Sequence, residues 1–134
     1  MSKRNERGAV AAEFALLLPV LLTILFGIME FGMIMYGREV VTNATREGAR
    51  AGIVQSSPPV SAGAIEAIAN NYLTGTGVST ASVDFDVPAS GGGTGTPVTV
   101  TATYSYPWLI PYIPTLLGLP SPLPIPITVT MLHE

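Results

Sequence analysis

The sequence predicts an α+β protein, in which a long, kinked N-terminal transmembrane helix extends into a small domain of one short helix and a three-stranded antiparallel sheet. Three observations carry this. Phe14 to Gly37 is a run of 24 residues whose single charge is Glu30. Small and apolar residues recur beyond it at spacings of three and four, and the last third of the chain alternates apolar with polar residues. Composition agrees: of 134 residues 11% are charged and 48% hydrophobic, with a mean hydropathy of +0.47. An ordinary soluble domain carries about 25% charged residues.

A membrane span needs about 20 mostly apolar residues, so the first run is long enough to cross. Pro19 lacks an N–H and should kink the helix there. A removable secretory signal also begins with basic residues, here Lys3, Arg4 and Arg7, but no small-x-small cleavage site follows the run. Lys and Arg near its two ends balance, three against Arg38, Arg46 and Arg50, so charge alone leaves the orientation open. Glu30, near the far end, is expected to be interfacial and hydrated.

The helical pattern continues through Val41, Ala44, Gly48 and Ala51, which share one face. Ala44, Gly48 and Gly52 form a small-residue row that admits another backbone closely. Ser56 to Pro59 then breaks the chain. A short amphipathic helix follows, with Ile65, Ile68, Ala69, Tyr72 and Leu73 on one face, Ser61 as N-cap and Gly75 or Gly77 as stop. Strands are read at Val83, Phe85 and Val87; at Val98, Val100, Ala102, Tyr104 and Tyr106; and at Ile127, Val129 and Met131. A glycine-rich turn, Ser90 to Gly95, joins the first two. The last two are joined by PWLIPYIPTLLGLPSPLPIP, with seven prolines in 20 residues and no charge. This loop, with Trp108 and Tyr112, either folds its apolar groups back onto the sheet or exposes them as an interface.

Several functions are excluded or left without a carrier. Cysteine is absent, so there is no disulfide, thiolate metal site or thiol nucleophile. No Lys or Arg follows Arg50, which removes a basis for phosphate or nucleic-acid binding in that half. There is no Ser-His-Asp set or metal-ligand cluster, the lone His133 receives no role, and GGGTGT lacks the lysine of a phosphate loop. No catalytic residue, metal or cofactor is expected. The one charge that attracts a functional reading is Glu13, since a carboxylate at the membrane edge is costly.

Around Glu13 the chain resembles a known family. Gly8, followed by Ala9-Val10-Ala11-Ala12-Glu13-Phe14, resembles the processing site of the type IV pilin superfamily, and is most similar to the tight-adherence (Tad, or Flp) branch. ATREGARAG, Asn71-Tyr72-Leu73 and a closing Thr-Val-Thr-Met strand extend the resemblance to TadE-like pseudopilins over nearly the whole chain. The family's last strand often finishes in arginines, whereas this one ends Leu132-His133-Glu134, so a basic contact there is not expected.

The resemblance implies cleavage between Gly8 and Ala9 by a prepilin peptidase, with Glu13 and Phe14 serving assembly. It implies a leader at 1–8 in the cytoplasm, a span at 9–37, a helix extension at 38–55 and an extracytoplasmic head at 56–134. The implied place is the bacterial inner membrane, and the implied partners are sibling pseudopilins, a major pilin and the inner-membrane assembly platform, with no nucleic acid. Cleavage would leave 3 basic and 8 acidic side chains, moving the side-chain charge from −3 to −5. The competing reading is an uncleaved, single-pass anchored domain whose loop captures a ligand or lipid.

Overall fold

A computed structural model describes residues 3–54, 59–87 and 95–132, with side chains from Gly8 onward. The break at Ser56 to Pro58, most of the glycine-rich turn and His133 lie outside the described residues. Helix α1 runs from Lys3 to Gly52. It passes through Pro19 without interruption, and four residues on Thr23 Oγ1 donates to the Pro19 carbonyl at 2.8 Å.

The chain divides into two compact units, Met1–Met33 and Ile34–Glu134. In the first, α1 exposes Phe14, Leu16, Leu21 and Ile28, and the helix is long and apolar enough to cross a membrane. Such a surface is unfavourable in water and suits hydrocarbon, which fits membrane anchoring. Glu30 departs from expectation: it is buried, at 3% exposed, rather than open to solvent. Hydropathy along a helix reads depth and says nothing about which face becomes covered.

The second unit is the head. Its α1 portion packs with helix α2, Ala62–Leu73, and with a sheet of β1, Val83–Asp86, β2, Pro97–Tyr106, and β3, Leu123–Leu132. Ser61 caps α2, its side chain accepting from the Ala64 N–H at 3.3 Å. Ile65, Ala69 and Leu73 are buried, while Ile68 and Tyr72 of the expected apolar face are exposed. The seam is thus narrower than the apolar stripe. Gly75 and Gly77 both take φ of +83°, so they carry the reversal after α2.

The strands lie in the order β1-β2-β3, all antiparallel. Val98, Val100, Ala102, Tyr104 and Tyr106 of β2 are buried. Opposite them stand Val83 and Phe85 of β1 and the odd-numbered residues of β3 from Leu123 to Met131, which form or border the core. Thr99, Thr101 and Thr103 share the other face with Asp84, Asp86, Thr128 and Thr130. Strand β3 begins earlier than the alternation suggests, taking in Pro124 and Pro126 opposite Ser105 and Thr103. It is an edge strand, where proline is tolerated because an outward N–H has no ladder partner.

Small residues set how closely α1 approaches. A Cβ at Gly48 would stand 3.2 Å from the Ala69 Cβ and 3.3 Å from the Ile65 carbonyl oxygen. At Gly52 it would stand 2.9 Å from Ile65 Cδ1 and 3.2 Å from Val98 Cγ1, and at Gly37 it would collide with the Tyr104 ring. Thr45 is fully buried on this stretch but satisfied, donating to the Val41 carbonyl at 2.7 Å.

Two outcomes are expected. Gly48→Leu should destabilise the head by about 1–3 kcal/mol through overpacking, whereas Gly63→Ala on α2, where a Cβ meets open space, should be neutral or mildly stabilising. Denaturant unfolding in detergent, followed by near-ultraviolet circular dichroism, distinguishes them, and equal effects would refute the packing account. Burial also pushes the Tyr104 phenol above its ordinary 10.0. The folded state then holds that proton more tightly than the unfolded chain. Its stabilisation is complete below pH 10.0 and is lost as pH rises through the raised folded value. Tyr104→Phe should therefore flatten the alkaline fall in the unfolding midpoint, and an unchanged pH profile would remove Tyr104 as its cause.

Candidate functional site

Two regions remain once the core is assigned. The first is the start of the apolar helix. Gly8, Ala9, Glu13 and Phe14 all lie on α1 and all are exposed. Ala9 and Glu13 are four residues apart, which places them one turn apart on a single helix face, about 6 Å along the axis. Nothing stands within 4 Å of a Cβ added at Gly8. A carboxylate on an otherwise apolar surface of this kind needs a cationic or hydrogen-bonding partner once water is removed.

Among the described residues no group of three or more His, Asp or Glu is placed to hold a metal. Asp84 and Asp86 point to the exposed side of β1. The small-residue row of Ala44, Gly48 and Gly52 is buried inside the head, where the two glycines face α2 and β2 of the same chain.

The second region is the connection from β2 to β3. It contains a helix, α3, Tyr112–Leu117, where the sequence suggests only a rigid proline-rich link. Pro111 and Pro114 open it with preset φ, and Gly118 ends it at φ +66°, letting the Leu119 N–H return to the Pro114 carbonyl at 2.9 Å. Proline before and glycine after is the signal that marks such a helix, and it is present in IPYIPTLLG. Trp108 Nε1 donates to the Pro120 carbonyl at 2.9 Å and ties the base of the excursion. Tyr104, Tyr106 and Trp108 form successive edge-to-face contacts at 6.1 and 6.0 Å between centroids.

Of the two fates open to this loop, exposure holds for most of its apolar groups. Tyr112 is 83% exposed and Leu116 79%, with Leu109, Leu117 and Leu119 also exposed. Trp108 is half-buried and Pro114 is buried. Sequence patterning does not single out Tyr36, whose hydroxyl donates to the Thr76 carbonyl at 2.7 Å and ties α1 to the turn after α2. Nor does it mark Gly37, which stands four residues before Val41 and leaves room for the Tyr104 ring.

No curated protein and no solved structure matches the chain. One family model does, that of the TadE-like protein family, across residues 8–50. The match begins at Gly8, includes Glu13 and Phe14, and covers the apolar stretch of α1 together with Ala44 and Gly48 of the small-residue row. Over residues 8–50, about a third of its length, the chain is similar to the TadE-like protein family.

Proposed function

We propose that this protein is a minor, pilin-like structural component of a Tad-type pilus or secretion apparatus, matured by a prepilin peptidase after Gly8 and supporting pilus assembly and adherence. The observation that carries the reading is the TadE-like match starting at Gly8, on a helix whose apolar surface is exposed. The chain is then a substrate of chemistry, not a catalyst. Its leader lies in the cytoplasm, its span in the inner membrane and its head outside. Sibling pseudopilins, a major pilin and the assembly platform are its partners.

The physical logic rests on the new terminus. The bond to be cut lies within α1, and glycine there lowers the cost of opening the turn by about 0.5–1 kcal/mol relative to alanine. Hydrolysis removes Lys3, Arg4, Glu6 and Arg7 and leaves an amine on Ala9. That amine and the Glu13 carboxylate lie one turn apart, or meet across neighbouring subunits. Each costs several kcal/mol to bury alone, and pairing offsets much of that. Such a pair draws an incoming subunit into a helix bundle and fixes its axial register. Phe14, exposed beside Glu13, supplies apolar contact at the same level.

A second reading is an uncleaved anchored domain that binds a ligand or lipid through the exposed loop. The two separate at Gly8. Intact mass measurement of the membrane-extracted protein should give a chain beginning at Ala9, and Gly8→Leu should retain the leader. A wild-type chain with its leader intact would favour the anchor. Glu13→Leu should leave processing in place while cutting recovery in sheared pili or in crosslinked assembly complexes severalfold. Unchanged recovery would defeat the pairing mechanism.

A further inference from the structure

The loop that carries α3 presents an apolar surface at one particular end of the head. Within this unit β2 runs antiparallel to α1: Val98 packs at Gly52 and Tyr104 packs at Gly37. From Gly37 to Gly52 α1 rises about 22 Å, and from Val98 to Tyr104 β2 covers about 20 Å, so the two elements keep step. Continuing past Tyr104, through Tyr106 and Trp108, the chain therefore leads to the end of the head at which α1 enters it, at Ile34. That is the end joined directly to the apolar helix. The first charges on α1 after Glu30 are Arg38 and Glu39, a turn beyond this entry.

We infer that the α3 loop is a second membrane contact, lying in the interface of the same leaflet through which α1 leaves the bilayer, with Tyr112, Leu116 and Leu117 inserted and Trp108 at headgroup level. Four features favour lipid over a protein partner. The end of the head to which the loop leads is the end that the chain joins, at Ile34, to a segment that itself fits a bilayer. Residues 107–126 contain no charge of either sign to select a protein surface. Seven prolines there remove seven N–H donors, which lowers the cost of placing backbone where water is scarce. Trp and Tyr, with an apolar body and a polar tip, are the side chains that favour the interface. An interfacial segment of this kind buries its apolar side about 5–10 Å into the headgroup and acyl boundary. The inference rests on the span alone and is independent of the pilus reading.

Trp108 is the only tryptophan, which makes depth measurable in the full-length protein. Reconstituted into phosphatidylcholine vesicles, Trp108 should be quenched by lipids brominated near the carboxyl end of the acyl chain more than by those brominated near the methyl end. Leu116→Glu combined with Leu117→Glu, both at exposed positions, should reduce that quenching severalfold without unfolding the head. Phe26→Trp in a Trp108→Phe background reports insertion of the span. Quenching of the Phe26→Trp variant with none at Trp108 would overturn the inference, as would quenching of Trp108 that ignores the glutamates. Shielding of Trp108 from aqueous acrylamide only at high protein density would assign the surface to a protein contact and overturn it too.

Discussion

The approach of α1 to the sheet and to α2 is the constraint on which the head depends. Gly37, Gly48 and Gly52 leave no side chain where Tyr104, Ile65, Ala69 and Val98 need to be. Dispersion is short-ranged, so a gap of even one ångström forfeits a large share of each contact. Small residues on one element let larger ones on the other fill the space without strain. The head has few other resources for a core: β1 is four residues long, and there is no cysteine to staple it. A domain of this size buries too small a fraction of its surface to be generous with packing. By contributing residues from Ile34 to Gly52, the helix that begins as an apolar rod becomes the wall of a core.

That shared helix changes what the small-residue row means. In a membrane span, such rows bring separate helices together. Here the glycines of the row are occupied within their own chain, by Ile65, Ala69 and Val98. They specify the head's own packing, and the exposed apolar surface available for other molecules lies elsewhere, on the earlier part of α1 and on the α3 loop. A family match that spans Gly8 to Arg50 thus covers two physical demands in one helix: an apolar exterior first, and after it the start of the small-residue row, Ala44 and Gly48.

Much of this was legible in the sequence because periodicity and hydropathy are local. The 24-residue apolar run, the α2 pattern and three alternating strands each announce an element from a few neighbours. What escaped was decided at a distance. Glu30 reads as a boundary charge, yet it is buried, since burial depends on what covers a face. Ile68 and Tyr72 fit the apolar stripe of α2 but lie outside its contact seam. Helix α3 is six residues long, too short for two full periods, so only its proline and glycine punctuation betrays it. The motif at Gly8 to Phe14 stands apart: it was legible by resemblance, and its exposure is what the fold adds.

The prolines of the last connection meet two different demands with one chemical property. At Pro124 and Pro126 the missing N–H faces away from β2, so the ladder loses nothing and the outer edge loses donors that another strand would otherwise use. At Pro111 and Pro114 the missing N–H falls in the first turn of α3, where no intrahelical acceptor exists. Both placements shed donors that would otherwise require water. A segment that exposes Tyr112, Leu116 and Leu117 while shedding backbone donors is poorly matched to bulk solvent and well matched to an environment short of water. The apolar composition of the chain therefore has two sources, one helical and continuous, the other a short excursion stiffened by proline and pinned by the Trp108 indole.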